Sequence, residues 1–335
     1  VLRILLLGDT HIGLDLPLRP RVEQRHRGPD FVRNLKLALE PALRGEVDLV
    51  IHSGDVFDRP TPPIEVARLA YDPLIEVAST GLRVLIVPGN HERSRLPFPL
   101  LLSHPCIHVF DRPERWRGSV AGARIEVVGM PFNRCADGTA LRLTLAELEP
   151  PDPSADVRLL LGHLAVEGAV VGVDDFVFRA GRRDVLPGRA VPGRYAALLS
   201  GHIHRRQVLR ESPGGRPFEA PVVYAGSIER TSIVERDEAK GYAILHVDPG
   251  PGGGHLADVC MVDLPTRPMS ILEPRSMLED GIASWLQDEL GKLPEDAVVQ
   301  VRLRPGARLS AKAARAVTPA TMSLRTVVPR RSIGA

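Results

Sequence analysis

Residues 2–11 read LRILLLGDTH and residues 48–58 read DLVIHSGDVFD. In both, a short apolar run ends in Gly-Asp. The pattern recurs downstream, where apolar runs lead into Gly89-Asn90, Gly162-His163 and Gly201-His202. Each reads as a buried strand followed by a Gly turn that carries a polar side chain. Between the early runs, residues 31–43 and 63–79 have helical spacing, and Pro63 suits a first helical turn. Strand alternating with helix places the chain in the α/β class. Residues 123–128, 221–224 and 242–247 read as further strands.

A Gly/Pro-rich stretch, Asp-Pro-Gly-Pro-Gly-Gly-Gly at residues 248–254, marks a turn or linker. A domain boundary is expected beside it, giving one domain over residues 1–250 and another over 256–335. The second reads as a small α+β unit: a strand at 257–264, a helix at 276–290 and a strand at 297–303. The last twenty residues show little periodicity and are expected to pack weakly. There is no internal repeat and no coiled-coil pattern.

With 335 residues, 44% hydrophobic and 25% charged, the composition is that of an ordinary globular chain. No apolar run approaches the roughly 20 residues that span a bilayer, so no membrane association is expected. The start of the chain does not read as a secretory signal. Cys106, Cys135 and Cys260 are far apart and odd in number, which points to a reducing, cytoplasmic compartment. The net charge of +2 is uninformative, but its distribution is not. Residues 297–335 hold no Asp or Glu, yet include Arg302, Arg304, Arg308, Lys312, Arg315, Arg325, Arg330 and Arg331. Only Lys36, Lys240, Lys292 and Lys312 are lysines. Arginine suits bidentate phosphate contact; base-composition bias in the source genome explains the same excess equally well.

Polar residues that follow strands of an open α/β sheet converge on one edge. Here they are Asp9 and His11, Asp55 and Asp58, Asn90 and His91, His163, and His202 and His204. Carboxylate, imidazole and amide make a mixed oxygen and nitrogen donor set suited to Mn, Fe or Zn. Without thiolates, a structural zinc site is not indicated. In Asp-X-His and His-X-His, residues two apart after a strand can reach the same region. A carboxylate can bridge two cations, and Asp55 is the candidate bridge. A pair of metals about 3.5–4 Å apart activates water and stabilises in-line displacement at phosphorus. A His outside the ligand set suits protonation of the leaving oxygen. Any one Gly-Asp or Gly-His is a common turn; five in this order are not an accident. His52, at a strand end, reads as a packed core residue. His26, His104, His108, His246 and His255 have no partner in the pattern.

These ordered motifs resemble the calcineurin-like metallophosphoesterase superfamily across residues 8–204. More narrowly, the sequence resembles the SbcD-type nucleases of DNA double-strand-break repair. The narrower features are GDVFD followed by Pro-Thr-Pro-Pro at 60–63, GNHE at 89–92, GHIH at 201–204, YAGSIERT at 224–231 and Lys-Gly-Tyr at 240–242. Ala225 stands where the family usually has Pro. The likeness covers residues 2–248 and is weak beyond.

The resemblance implies an αββα sandwich with a small C-terminal α+β capping domain, and a nuclease with two divalent metal ions, Mn²⁺ foremost and Fe or Zn as alternatives, with exonuclease and endonuclease action. One metal would be held by Asp9, His11, Asp55 and His204, the other by Asp55, Asn90, His163 and His202. His91 would be the catalytic non-ligand His, oriented by Asp58. Candidate DNA contacts are Arg59, Arg93, Arg205, Arg206, Ser227 and Arg230. Arg95 stands beside Arg93, and for both a solvated loop explains the charge equally well. Aromatics make up only 4%, so no base-stacking platform is evident. The implied partners are DNA ends, an SbcC-type ATPase and a second copy of the chain. No GxxxxGK[ST] loop occurs, so ATP dependence would come from the partner. The chain shows no convincing helical pair after residue 303 for docking that partner. Two other readings remain open: hydrolysis of small phosphodiesters or phosphoproteins, and a non-catalytic scaffold that binds DNA ends.

Overall fold

The computed structural model describes residues 1–19, 25–134, 137–148, 151–275 and 278–328. Cys135, Arg330, Arg331 and the expected helix start at Ser276 lie outside them. The chain divides into two compact units. The first contains Val1–Leu14, Asp30–Thr231 and Glu238–Pro265; the second contains Asp15–Pro29, Ser232–Asp237 and Thr266–Ala335.

The first unit is a sandwich of two six-stranded sheets. In one, strands Leu2–Leu7, Leu49–His52, Arg83–Ile86 and Ile107–Val109 run parallel in that order. Gly241–Asp248 adds antiparallel to Leu2–Leu7, and His255–Asp263 adds antiparallel to it. In the other, Ala123–Met130, Val157–His163, Ala197–Gly201 and Pro217–Tyr224 run parallel. Its edges are the antiparallel strands Glu114–Val120 and Gln207–Glu211.

Alternation along each strand explains the layers. Leu2, Ile4 and Leu6 join Ile51, Leu85, Ile125, Val127, Leu159, Leu161, Leu199 and Val223 in one core between the sheets. Their neighbours Leu5, Leu7, Val50, Val84 and Ile86 face the other way and are also buried. On that side the helix Ile64–Ser79 contacts Arg83–Ile86, and the helix Gly28–Leu43 buries Phe31, Leu35 and Leu39. Behind the second sheet, Leu141 and Leu145 of the helix Gly138–Glu147 pack with Val128, Leu160, Leu198 and Val222. A strand buried on both faces reads as a continuous apolar run, as residues 2–7 do.

The Gly/Pro-rich stretch at 248–254 turns a hairpin between Gly241–Asp248 and His255–Asp263. The strand after it therefore belongs to the first unit, and the division falls after Pro265 instead of near residue 254. The second unit holds a parallel sheet of Met269–Leu272, Val298–Arg302 and Ser323–Val327, with helices Glu279–Leu290 and Ala311–Val317 in mutual contact. Its core gathers Ile282, Leu286, Leu290, Val299, Val301 and Met322. Residues 311–327 are thus better ordered than their weak periodicity indicates. Parallel pairing of Ser323–Val327 with Val298–Arg302 supplies backbone bonds that no local pattern encodes. Among the described residues no helix is long and apolar enough to cross a membrane.

Candidate metal centre

Register puts the motif loops side by side. Leu7 pairs with His52 and His52 with Ile86, so the first three parallel strands end level. Across the sandwich, His163 pairs with Gly201. The loops then brace one another: Asp9 N–H donates to the Gly54 carbonyl (2.8 Å) and His11 N–H to the Asp55 carbonyl (3.0 Å). A Cβ on Gly89 would collide with the Asp55 carboxylate, and one on Gly201 with the Ser53 carbonyl and the His163 ring. Glycine before the polar residue is therefore a matter of close approach. Asp9, His11, Asp55 and His202 all have positive φ (48°, 42°, 52° and 80°). Such backbone strain in non-glycine residues concentrates at functional sites.

The structure brings all seven candidate ligands together. His11 Nε2 and His204 Nε2 stand 3.1 Å apart, and His11 Nε2 is 4.0 Å from Asp55 Oδ2. His204 Nε2 lies 4.0 Å from Asp9 Oδ1. On the other side of Asp55, His163 Nε2 is 3.3 Å from Oδ2. Asn90 Oδ1 sits 3.0 Å from His163 Nε2 and 2.9 Å from His202 Nδ1. Asp55 is therefore the central carboxylate, with imidazoles on both flanks. Among the described residues three groups have donor atoms close enough to share one ion: Asp9, His11 and His204; Asp9, Asp55 and His163; and His11 with Asp58 and His91, which lie outside the seven.

The rings are aimed by distant backbone. His163 Nδ1 donates to the Ser53 carbonyl at 2.8 Å, which leaves Nε2 for the cluster. Thr231 Oγ1 lies 3.2 Å from His204 Nδ1. The Glu92 carboxylate, buried, accepts from Phe57 N–H (2.6 Å) and Gly89 N–H (2.8 Å), tying the Asp55 loop to the Asn90 loop. Burial and nearby Asp55 push Glu92 up to about 7. Glu92 was visible in the sequence only as the last letter of GNHE, and its bracing role needed the two loops in space.

The electrostatics suit a cation. Asp9 Oδ2 and His11 Nδ1 are buried without a hydrogen-bond partner. Burial raises Asp9 above the ordinary carboxylate range. Burial also lowers His11, and it lowers His202 to about 4, with neighbouring imidazoles adding to both effects. Burial opposes charge on Asp55 as well, but His163, His11 and His91 hold it below its usual range. In return Asp55 overcomes burial at His163 and raises it to about 9. A proton on His163 thus supplies positive charge that a metal would bring instead, and metal binding would release it. The residues present suit divalent metal in donor type, convergence and orphaned atoms.

His91 stands at the mouth of the cluster, partly exposed. Its N–H donates to Asp55 Oδ1 at 2.9 Å, and its Nδ1 lies 2.8 Å from the Asp58 carbonyl oxygen. Asp58 therefore holds His91 through its main chain. Its carboxylate lies near the His91 and His11 rings and forms no hydrogen bond to His91 among the described residues. His52 is a satisfied core residue: its Nε2 donates to Thr10 Oγ1 (3.1 Å), and its Nδ1 accepts from Gly54 N–H (3.2 Å).

The candidate DNA contacts separate. Arg59 and Arg93 are exposed on loops beside Asp58 and Glu92. Arg205 is ion-paired with Asp175 and with Glu238 (3.1 Å), and Arg206 is ion-paired with Asp263. Arg230 donates to the Glu238 carbonyl at 3.1 Å. Ser227 is fully buried and its hydroxyl donates to the Glu229 carbonyl, so it braces the 224–231 loop and cannot meet a strand of DNA directly.

The calcineurin-like phosphoesterase family model matches residues 2–206, most of the two-sheet unit. The chain belongs to the calcineurin-like phosphoesterase family. It is similar to the DNA double-strand break repair protein Mre11 of Aeropyrum pernix, 25% identical over 245 residues, which covers 70% of this chain and 55% of that protein. It is also similar to the D subunit of the nuclease SbcCD of Rhodobacter capsulatus, 29% identical over 292 residues, covering 76% of this chain and 69% of that one. The Mre11 of Methanopyrus kandleri is 24% identical over 269 residues, covering 74% and 55%. The chain thus spans little more than half the length of the two archaeal relatives. The family match contains every candidate ligand.

Proposed function

We propose that this chain is a DNA phosphodiesterase, with exonuclease and endonuclease action in double-strand-break repair and recombination. The observation that carries the reading is the convergence of Asp9, His11, Asp55, Asn90, His163, His202 and His204 from both sheets on one buried cluster centred on Asp55. The names of the relatives support DNA as the substrate. Two divalent ions, Mn²⁺ foremost and Fe or Zn as alternatives, would be held by Asp9, His11, Asp55 and His204 and by Asp55, Asn90, His163 and His202. Bound there, they supply water activation and charge neutralisation at phosphorus.

The protein's own groups then divide the work. Asp55, below its usual range, stays ionised and draws cations to the centre. Ser53 and Thr231 hold His163 and His204 with Nε2 inward. His91 keeps Nδ1 on the Asp58 carbonyl, so a proton it delivers to the leaving sugar oxygen comes from Nε2. Arg59 and Arg93, exposed on loops beside Asp58 and Glu92, would meet the phosphate backbone. Partners under this reading are DNA ends, an SbcC-type ATPase and a second copy of the chain, in the cytoplasm.

The test is a nuclease assay on linear and hairpin-ended duplex with added Mn²⁺, with calorimetry of Mn²⁺ binding alongside. Wild type should cut, and Asp55→Asn should lose cutting and weaken Mn²⁺ binding by more than the roughly 10–100-fold of an outer-shell change. Turnover of small phosphodiesters or phosphopeptides far above DNA would redirect the substrate assignment. Tight binding of ends without any cutting would make the protein a scaffold.

A further inference from the structure

A cavity of about 840 Å³ opens on the first unit, and none of the metal-candidate side chains lines it. Five of its sixteen lining residues are arginines: Arg142, Arg182, Arg183, Arg189 and Arg194. The whole chain has 39 arginines in 335 residues, so an arginine-rich composition does not account for this density. The cations come from three separate places: the helix Gly138–Glu147, the loop before Val185–Leu186, and the 189–194 segment that follows it. Arg182 pairs with Asp184 at 3.2 Å, and Arg194 lies over the Tyr195 ring. Arg142, Arg183 and Arg189 have no ion pair or hydrogen bond among the described residues.

The two carboxylates in the lining are already engaged. Asp137 accepts from the N–H groups of Thr139 and Ala140, and Glu219 accepts from Gly193 N–H at 2.9 Å. The rest of the lining is mostly apolar, with Leu145, Val185 and Pro187. Guanidinium groups without an ion pair line this cavity from different elements, and phosphate is the anion their fork geometry matches best. No aromatic side chain lines the cavity, so nothing there would stack a base.

We propose that this cavity is a second anion site that takes phosphate groups, and that it holds the sugar-phosphate backbone of a nucleic-acid strand outside the metal cluster. The strand, but not the phosphate, rests on the function proposed above. Arg142 and Arg189 line it from different elements and are taken as its contacts. Affinity from such a site is independent of sequence and falls with salt.

The test uses the whole chain with EDTA, which keeps the metal centre out of the measurement. A fluorescein-labelled duplex is followed by anisotropy across a salt series, and inorganic pyrophosphate by calorimetry. Arg142→Ala/Arg189→Ala should weaken duplex binding roughly tenfold and lower the salt slope by about one per arginine. Arg142→Lys/Arg189→Lys keeps the charge without the fork and should recover part of the loss, which separates lost charge from lost fold. Hydrolysis of bis(p-nitrophenyl) phosphate with Mn²⁺ should be the same in all three proteins. Wild-type affinity and slope in the Ala variant, for both probes, would overturn the site. Unchanged duplex binding with lost pyrophosphate binding would overturn the strand and leave a free phosphate compound as the ligand. Failure of wild type to hydrolyse the small diester would count against the proposed function, while the binding arms would still decide the cavity.

Discussion

Two charged clusters meet in the loop that follows Ala197–Gly201, and they are built on opposite principles. His202 and His204 turn into the Asp55 cluster, where two buried polar atoms have no partner and four backbones are strained. Arg205 turns the other way, toward Glu238. There the Glu238 carboxylate takes Arg205 Nε at 3.1 Å and Lys240 Nζ at 2.9 Å, and its carbonyl takes Arg230. Lys240, fully buried, also donates to the His204 carbonyl at 3.0 Å and so ties one cluster to the other. Among the described residues the second cluster leaves no buried side-chain polar atom unsatisfied, and the first leaves two. A buried polar atom without a partner is costly, so an unsatisfied cluster maintained by strain points to an external cation, whereas a satisfied one points to architecture.

The sharpest way to break this contrast is at His91. His91→Ala should leave Mn²⁺ binding intact in calorimetry and slow turnover about 10²–10⁴-fold, the range of lost general acid catalysis. Loss of metal binding instead would place His91 among the ligands. Lys240→Met probes the satisfied cluster. It leaves the Glu238 carboxylate to Arg205 and takes the donor from the His204 carbonyl, and should cost about 1–3 kcal/mol in urea unfolding. A cost near zero would show that the cluster is not closed.

His52 offers a pH test between the two. Burial, then nearby His163, lowers it to about 3 from an ordinary value near 6.5. Its Nδ1 already accepts the Gly54 N–H, so a second proton would break that bond. Below about 6.5 the unfolded chain binds this proton first. The contribution of His52 to stability is therefore complete above that value and is lost as pH falls toward about 3. The slope should be at most about 1.4 kcal/mol per pH unit. Thermal unfolding in chelator across this range should show a flatter curve for His52→Gln than for wild type; identical curves would mean that His52 takes up its proton in the folded state. Arg205→Ala should have the smallest effect. Its ion pairs are partly solvent-exposed, so the loss should stay within about 1 kcal/mol. A marked drop in DNA affinity from this change would show that Arg205 leaves Glu238 to meet a strand.

What could be read from the residues alone was local in origin. An apolar run long enough for a strand, a glycine that admits close approach and a polar residue just after it are contiguous at residues 2–11, 48–58, 83–91, 158–163 and 196–204. Their order and donor types therefore announced both the α/β class and the ligand candidates. Folding in space decided whatever depends on partners far along the chain. Ser53 sets the orientation of His163, and Asp58 holds His91 through a carbonyl and not through its carboxylate. Asp263 and Glu238 withdraw Arg206 and Arg205 from the surface role that adjacency to His204 had suggested. The edge strands Glu114–Val120 and Gln207–Glu211, and the late strand Ser323–Val327, likewise exist because a neighbour offers backbone bonds. A guanidinium or a strand edge is defined by what it meets, and in a chain folded from both ends that is settled by distance in space.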